Sequence, residues 1–173
     1  PRPHKTANLN VPQSDTEYLI ASCCHPSLIE KLEPHNLTLW HSLNGMDSIR
    51  VVEEIDPDQP LIGGGGNAGL RAITLAFEMG YRYFTIYGMD CSFKSGAQWA
   101  GPHTGKIKEA YEVKTPDGRV FETSAVMVAY TRHFFETVQK IKESCPWAQF
   151  DLAGDGLLQH MIAIQNEQEA KAA

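Results

Sequence analysis

The sequence predicts an α/β protein with a mostly parallel sheet and one β-hairpin insertion. Short apolar runs that read as strands alternate with stretches of helical periodicity, the order that builds parallel sheets. One such run leads through four consecutive glycines into a helix and on to another strand, the layout of a βαβ unit. Pro116-Asp117-Gly118, a turn sequence between two strand-like stretches, adds the hairpin.

Taken in order, residues 1–15 are polar, carry Pro1, Pro3 and Pro12, and show no periodicity, so they read as an extended arm or linker. The chain opens on Pro1 rather than Met, as a fragment of a longer protein would, and no signal peptide is expected. Residues 18–22 are an apolar run ending in small residues, a buried strand. Pro26 suits a first helical turn, Leu28, Ile29 and Leu32 give that helix one apolar side, and Glu33-Pro34 stops it. Residues 36–41 alternate apolar and polar, the next strand. Residues 43–59, with Asn44-Gly45, Asp56-Pro57 and several acids, read as a connection holding one short helical turn.

Pro60-Leu61-Ile62 precedes Gly63, Gly64, Gly65, Gly66 and Asn67, then a helix over residues 68–79 with Gly80 as its left-handed cap. Residues 83–87 are a nearly continuous apolar run, expected for a parallel strand covered on both faces. Residues 91–106 lose all pattern and read as a long loop, functional or mobile. Strands over residues 108–113 and 119–123 flank the hairpin turn. Thr123 or Ser124 then caps a helix bearing Met127, Tyr130, Phe134, Val138 and Ile141 at helical spacing, ended by Pro146. A last strand at 148–152 leads through Gly154-Asp155-Gly156 to a helix ending near Ile164. Residues 16–164 thus form one domain, and 165–173 a polar tail that frays.

Composition narrows the function classes. The 173 residues are 42% hydrophobic and 21% charged, enough for a packed core in one domain. Fifteen Lys+Arg against 21 Asp+Glu leave a formal charge of -6, the wrong sign for a nucleic-acid module. No apolar run approaches the ~20 residues of a membrane span. Four cysteines, with Cys23 and Cys24 adjacent, make no disulfide framework, so a reducing cytoplasm is expected. Self-association into a homo-oligomer is left open.

Ligands in parallel α/β sheets sit beyond the carboxyl ends of the strands, so the loops at 63–67, 88–103 and 154–156 are expected to converge. Glycines let backbone approach a ligand, and the N–H groups at a helix start favour an anion such as phosphate. Gly64, Gly65, Gly66 and Asn67 therefore read either as an anion cradle or as a tight turn with an ordinary Asn67 cap. The spacing is neither G-x-G-x-x-G nor a Walker A loop. Gly88 and Asp90 close a central strand; Asp90 could accept from ribose hydroxyls, hold a metal, or cap the next loop. His103, in Gly101-Pro102-His103-Thr104-Gly105-Lys106, reads as a general base or a hydrogen-bond donor to a phosphate oxygen, or as a solvated loop histidine. Lys106 could pair with phosphate. Cys23-Cys24-His25 lacks the second pair a zinc site needs, so the cysteines read as small buried residues, and no metal site is assigned. His41, at a strand end, faces the cleft or packs as an aromatic edge. Trp99 reads as a stacking platform or a loop anchor, Asp155 as a ligand contact or a turn residue, and His133 as core or surface.

The run I-G-G-G-G-N-A-G-L-R-A-I-T-L-A-F-E-M-G-Y-R-Y-F-T-I-Y-G-M-D-C-S-F resembles the domain shared by archaeal 6-hydroxymethylpterin diphosphokinase (MptE-like) proteins and bacterial motility accessory factors (Maf), the flagellin glycosyltransferases. G-P-H-T-G-K, T-P-D-G-R-V-F-E-T-S and D-L-A-G-D-G-L-L extend the similarity across residues 18–161. The resemblance implies a Rossmann-like nucleotide-binding fold, akin to bacterial sialyltransferases that use CMP-sugars. It implies that Gly64, Gly65, Gly66 and Asn67 touch the nucleotide, that Asp90 lies under the ribose or a metal, and that His103 serves the transferred group. Against the family pattern, the sequence is expected to lack the first βα unit and its Gly-rich turn. The diphosphokinase His- and Asp-rich motifs are not found here, so the favoured expectation is glycosyl transfer from a nucleotide-sugar of the CMP-nonulosonic acid type. The alternatives are ATP-dependent diphosphate transfer to a hydroxymethylpterin, which would need Mg²⁺ and the carboxylates Asp90, Asp155 and Asp47, and a non-catalytic nucleotide-binding relative.

Overall fold

A computed structural model describes residues 12–94 and 109–172, and shows a mixed α/β protein. The chain divides into two compact units, meeting between Gly63 and Gly64.

The first unit runs β1 (Glu17–Ala21), α1 (Pro26–Leu32), β2 (Asn36–Ser42), α2 (Met46–Ile55) and β3 (Leu61–Ile62). Its strands form a parallel sheet in the order β1-β2-β3, with Glu17 opposite Asn36 and His41 opposite Leu61. Pro26 opens α1, where its missing N–H costs nothing, and the His25 ring accepts from the Ser27 N–H at 3.2 Å. Leu32 is the fully buried residue of that helix.

The expectation of a single helical turn within residues 43–59 is corrected: α2 spans ten residues. Met46, Ile49 and Val52 recur at helical spacing, and Asp47 in the first turn complements the helix dipole. The acids that made this segment resemble a loop, Glu53 and Glu54, are good helix formers.

The second unit holds α3 (Ala68–Glu78), β4 (Tyr83–Tyr87), β5 (Tyr111–Lys114), β6 (Val120–Thr123), α4 (Ala125–Ser144), β7 (Gln149–Ala153) and α5 (Leu157–Ala172). Strands β4 and β7 pair in parallel from Tyr83–Gln149 to Tyr87–Ala153, while β5 and β6 make the expected antiparallel hairpin. The helices close over one sheet face around Leu70, Ile73, Phe84, Phe134, Ile141 and Leu158, with Phe84 stacked on Phe150 at 4.8 Å. Ser124, rather than Thr123, caps α4 by accepting from the Met127 N–H.

Three further expectations change. The single, mostly parallel sheet is replaced, among the described residues, by two short parallel sheets and the hairpin; β3 has only two residues before Gly64 and Gly65 turn left-handed at φ +98° and +56°. Strand β4 is not covered on both faces, because Tyr83 and Tyr87 are 70% and 76% exposed. A tyrosine reads as apolar in a sequence, yet its phenol tolerates water, so Y-F-T-I-Y is a half-buried alternation. The tail does not fray at Ile164: α5 continues to Ala172, in a Gln-, Glu- and Ala-rich stretch where Gln165 donates to Glu169 one turn on at 2.8 Å. Among the described residues no helix is long and apolar enough to cross a membrane.

Candidate functional site

The candidate site is assembled in the second unit from the start of α3, the turn after β4 and the turn before α5. Gly88 leaves β4 at φ +71°, Met89 follows, and the Met89 methyl lies against Gly69, where an added Cβ would come within 2.7 Å of it. Asp90, half-buried, fills the space that side chains on Gly154 and Gly156 would need; a Cβ on Gly156 would lie 2.5 Å from the Asp90 Cβ. The two glycines before α5 are therefore required by close approach to Asp90. The start of α3, at Gly69, meets Met89, and Asp90 meets residues 154–156 beyond the carboxyl ends of the paired parallel strands β4 and β7.

The segment after Asp90 is held tightly. Cys91 is left-handed at φ +55°, an uncommon state for a residue with a Cβ, and is buried. The fully buried Thr123 hydroxyl donates to the Cys91 carbonyl at 2.8 Å, and the Phe93 N–H donates to the Glu122 carbonyl at 2.7 Å. The Leu158 N–H donates to the Asp90 carbonyl at 3.1 Å and the Leu157 N–H to the Ser92 hydroxyl at 3.1 Å. The start of α5 is thus capped by the chain itself, and its dipole is spent on this turn. Burial pushes the Cys91 thiol above its ordinary range, so it stays protonated.

The tetraglycine bend is packed from inside. A Cβ on Gly64 would strike the Thr74 side chain, one on Gly65 the Leu70 side chain, and one on Gly66 would lie 3.0 Å from the Tyr130 ring and 3.4 Å from His133 Nδ1. Asn67 acts as the N-cap of α3, its side-chain oxygen accepting from the Leu70 N–H at 2.9 Å. Packing alone therefore accounts for these glycines and for Asn67.

Two features were missed by the sequence reading. Tyr130 and His133, one turn apart on α4, border Gly66, and His133 Nδ1 is buried with no hydrogen-bond partner among the described residues. Gln159 reaches the Ala153 carbonyl with Nε2 at 3.2 Å, borders Gly154, and leaves Oε1 buried and equally unpartnered. Buried polar atoms are nearly always paired, so each orphan is a departure from the rule; a third, Trp40 Nε1, belongs to the first unit. Only the helical spacing of Tyr130 and His133 hinted at this, and it indicated a helix face rather than a site.

Other candidates fall elsewhere. Asp155 pairs with Lys94 at 3.2 Å in an exposed ion pair, a turn-shaping role of small energy. Cys23 is exposed and Cys24 half-buried, which corrects the expectation that both are buried; burial still raises the Cys24 thiol, with the Cys23 charge adding to it. His103, Lys106 and Trp99 lie outside the described residues. Among the described residues no group of three His, Cys, Asp or Glu could hold a metal ion. No family model, curated protein or solved structure matches the chain.

Proposed function

We propose that the chain is a nucleotide-dependent transferase with a Rossmann-like nucleotide-binding fold of the MptE-like/Maf kind, transferring a glycosyl group from a nucleotide-sugar of the CMP-nonulosonic acid type. One observation carries the reading: the start of α3, at Gly69, lies against Met89, so a helix start adjoins the turn that carries the Asp90 carboxylate. In this reading the N–H groups at the start of α3 receive the leaving phosphate, as helix N-termini do for anions. Asp90 accepts from the ribose hydroxyls, the oxygen-accepting task a carboxylate performs at a strand end. His133 Nδ1 and Gln159 Oε1 gain partners from the bound nucleotide. His103 would serve as general acid or base to the transferred group and Lys106 as a phosphate partner.

The test is a thermal-shift and calorimetric panel on the full chain with CMP, UDP, GDP and ATP, each with and without Mg²⁺. A nucleotide held at 100 times its Kd stabilises its target by about 2.7 kcal/mol. CMP is expected to bind, and Asp90→Asn, which keeps the backbone carbonyl that Leu158 uses, is expected to weaken it about tenfold or more. Indifference to every nucleotide would remove the proposal, and Mg²⁺-dependent AMP release from ATP in the presence of a hydroxymethylpterin would replace glycosyl with diphosphate transfer.

A further inference from the structure

The first unit contains a cavity of its own, about 480 Å³ in volume, within the range of small-molecule sites. Ser22, directly after β1, and His41, near the end of β2, form one wall, so the cavity opens at the carboxyl ends of parallel strands. The Ser22 hydroxyl and His41 Nδ1 are hydrogen-bonded at 2.9 Å, which fixes the imidazole against that wall. Helix α2 supplies the facing wall with Val51 and Ile55, which remain 54% and 78% exposed, and the lining as a whole is mostly apolar. Apolar side chains left bare around a concavity are what an apolar ligand body would cover.

The charged groups give the ligand a sign. Asp47 and Asp56 line the cavity, and among the described residues lining it none is Lys or Arg. The Asp56 carboxylate accepts from Gln59 Nε2 at 3.0 Å and from the Asp58 N–H at 3.2 Å, and these two bonds hold it below the usual carboxylate range. It is therefore ionised at neutral pH, beside a hydrophobic wall, and the one basic side chain in the lining is His41, whose charge also favours the carboxylate. A phosphate or carboxylate ligand would meet repulsion here, whereas an ammonium group would meet a charge-assisted hydrogen bond.

We propose that this cavity is a binding site for a small organic amine, its ammonium group held by Asp56 and its hydrocarbon or ring body laid against Val51 and Ile55. All the lining residues belong to the first unit, so the site is independent of the nucleotide reading and neither stands or falls with the other.

Benzylamine, benzyl alcohol and benzoate share one ring and differ in charge, which makes them suitable probes. Each is titrated into the full-length ¹⁵N-labelled chain and followed by amide chemical shifts and by calorimetry. Benzylamine is expected to shift Val51, Val52 and Ile55 saturably, benzyl alcohol more weakly, and benzoate not at all. Asp56→Asn is expected to raise the benzylamine Kd about tenfold or more, the loss of a hydrogen bond to a charged group. Ile55→Ser, on an exposed position, tests the apolar wall and should weaken benzylamine and benzyl alcohol alike. The proposal is overturned if benzoate binds as tightly as benzylamine, if the shifts fall outside this cavity, or if Asp56→Asn, shown folded by its spectrum, binds benzylamine unchanged.

Discussion

Alanine placed at three glycines separates what the bend before α3 requires from what any turn requires. Gly65 is left-handed at φ +56°, and an added Cβ would sit 2.5 Å from the Leu70 Cβ and 2.9 Å from its Cγ. Leu70 is fully buried and cannot swing away. Gly65→Ala therefore combines left-handed strain, about 1–2 kcal/mol, with core overlap, about 1–3 kcal/mol, for roughly 2–5 kcal/mol in total. Gly88 is also left-handed, at φ +71°, but nothing lies within 4 Å of its added Cβ, so Gly88→Ala is expected to lose only the strain, about 1–2 kcal/mol. Gly63 lies outside the left-handed region and would meet only Leu43 Cδ2 at 3.8 Å, so Gly63→Ala should fall within about 1 kcal/mol of the parent, on the stabilising side. Urea denaturation followed by far-UV circular dichroism reads all three. With m of about 2 kcal/mol per molar, Gly65→Ala should lower the midpoint by about 1–2.5 M. If Gly65→Ala and Gly88→Ala have the same midpoint, the overlap with Leu70 is relieved without cost and the packing explanation of the bend is wrong.

Three other outcomes are expected. Asn67→Ala removes the cap of α3 and should destabilise by about 1 kcal/mol, measured by the same urea titration, with the spectrum of the folded chain unchanged. Asp117 accepts from the Thr115 hydroxyl at 2.7 Å and from His160 Nε2 at 2.9 Å, which lowers its carboxyl to about 2. A folded pKa below the unfolded value of about 3.9 means that this stabilisation is whole above pH ~4 and is lost as pH falls through about 2; NMR titration of Asp117 and the loss of that acid dependence in Asp117→Asn check it. Iodoacetamide at neutral pH should label Cys23 in the folded chain and reach Cys91 and Cys145 only on unfolding, because Cys23 is exposed and the other two are buried; mass spectrometry of the peptides decides it.

The sequence made the local elements legible wherever one strong signal acted alone. Pro26 at a helix start, Asn67 before Ala68, Gly80 after Glu78, and Pro116-Asp117-Gly118 between strands are each set by backbone geometry that tertiary contacts seldom override, and each stands where it was expected. The errors fell where two signals competed. Acidic residues hid the helical spacing of α2, tyrosines disguised the exposed side of β4, and a polar tail concealed strong helix formers. Sheet pairing was less legible still, since partner choice depends on contacts between distant segments and not on any one strand's composition. The same holds for the candidate site. Asp90 and the glycines could be named from their order along the chain, but Tyr130, His133 and Gln159 sit on helices whose spacing says only which face turns inward.

Packing and ligand binding make different demands on this rim, and the residues sort accordingly. The glycines of the bend are explained by Thr74, Leu70 and Tyr130, and those before α5 by Asp90, so a glycine-rich loop is weak support for a phosphate site in this chain. Packing does not explain His133 Nδ1 and Gln159 Oε1, because an unpaired buried polar atom costs about 1–3 kcal/mol and an apolar side chain would fill either place without that cost. The left-handed Cys91 directly after Asp90, a conformation that costs about 1–3 kcal/mol in a residue with a side chain, is held by burial and by the Thr123 hydroxyl on its carbonyl. The His133 orphan borders the bend at Gly66, and the Gln159 orphan borders Gly154 beside Asp90. His133→Phe and Gln159→Leu separate the two origins: if the atoms are unmet only for want of a ligand, each variant should be at least as stable as the parent while losing nucleotide-induced stabilisation. Variants that are instead destabilised, with any nucleotide response intact, would assign both side chains to packing and leave Asp90 without partners for the site.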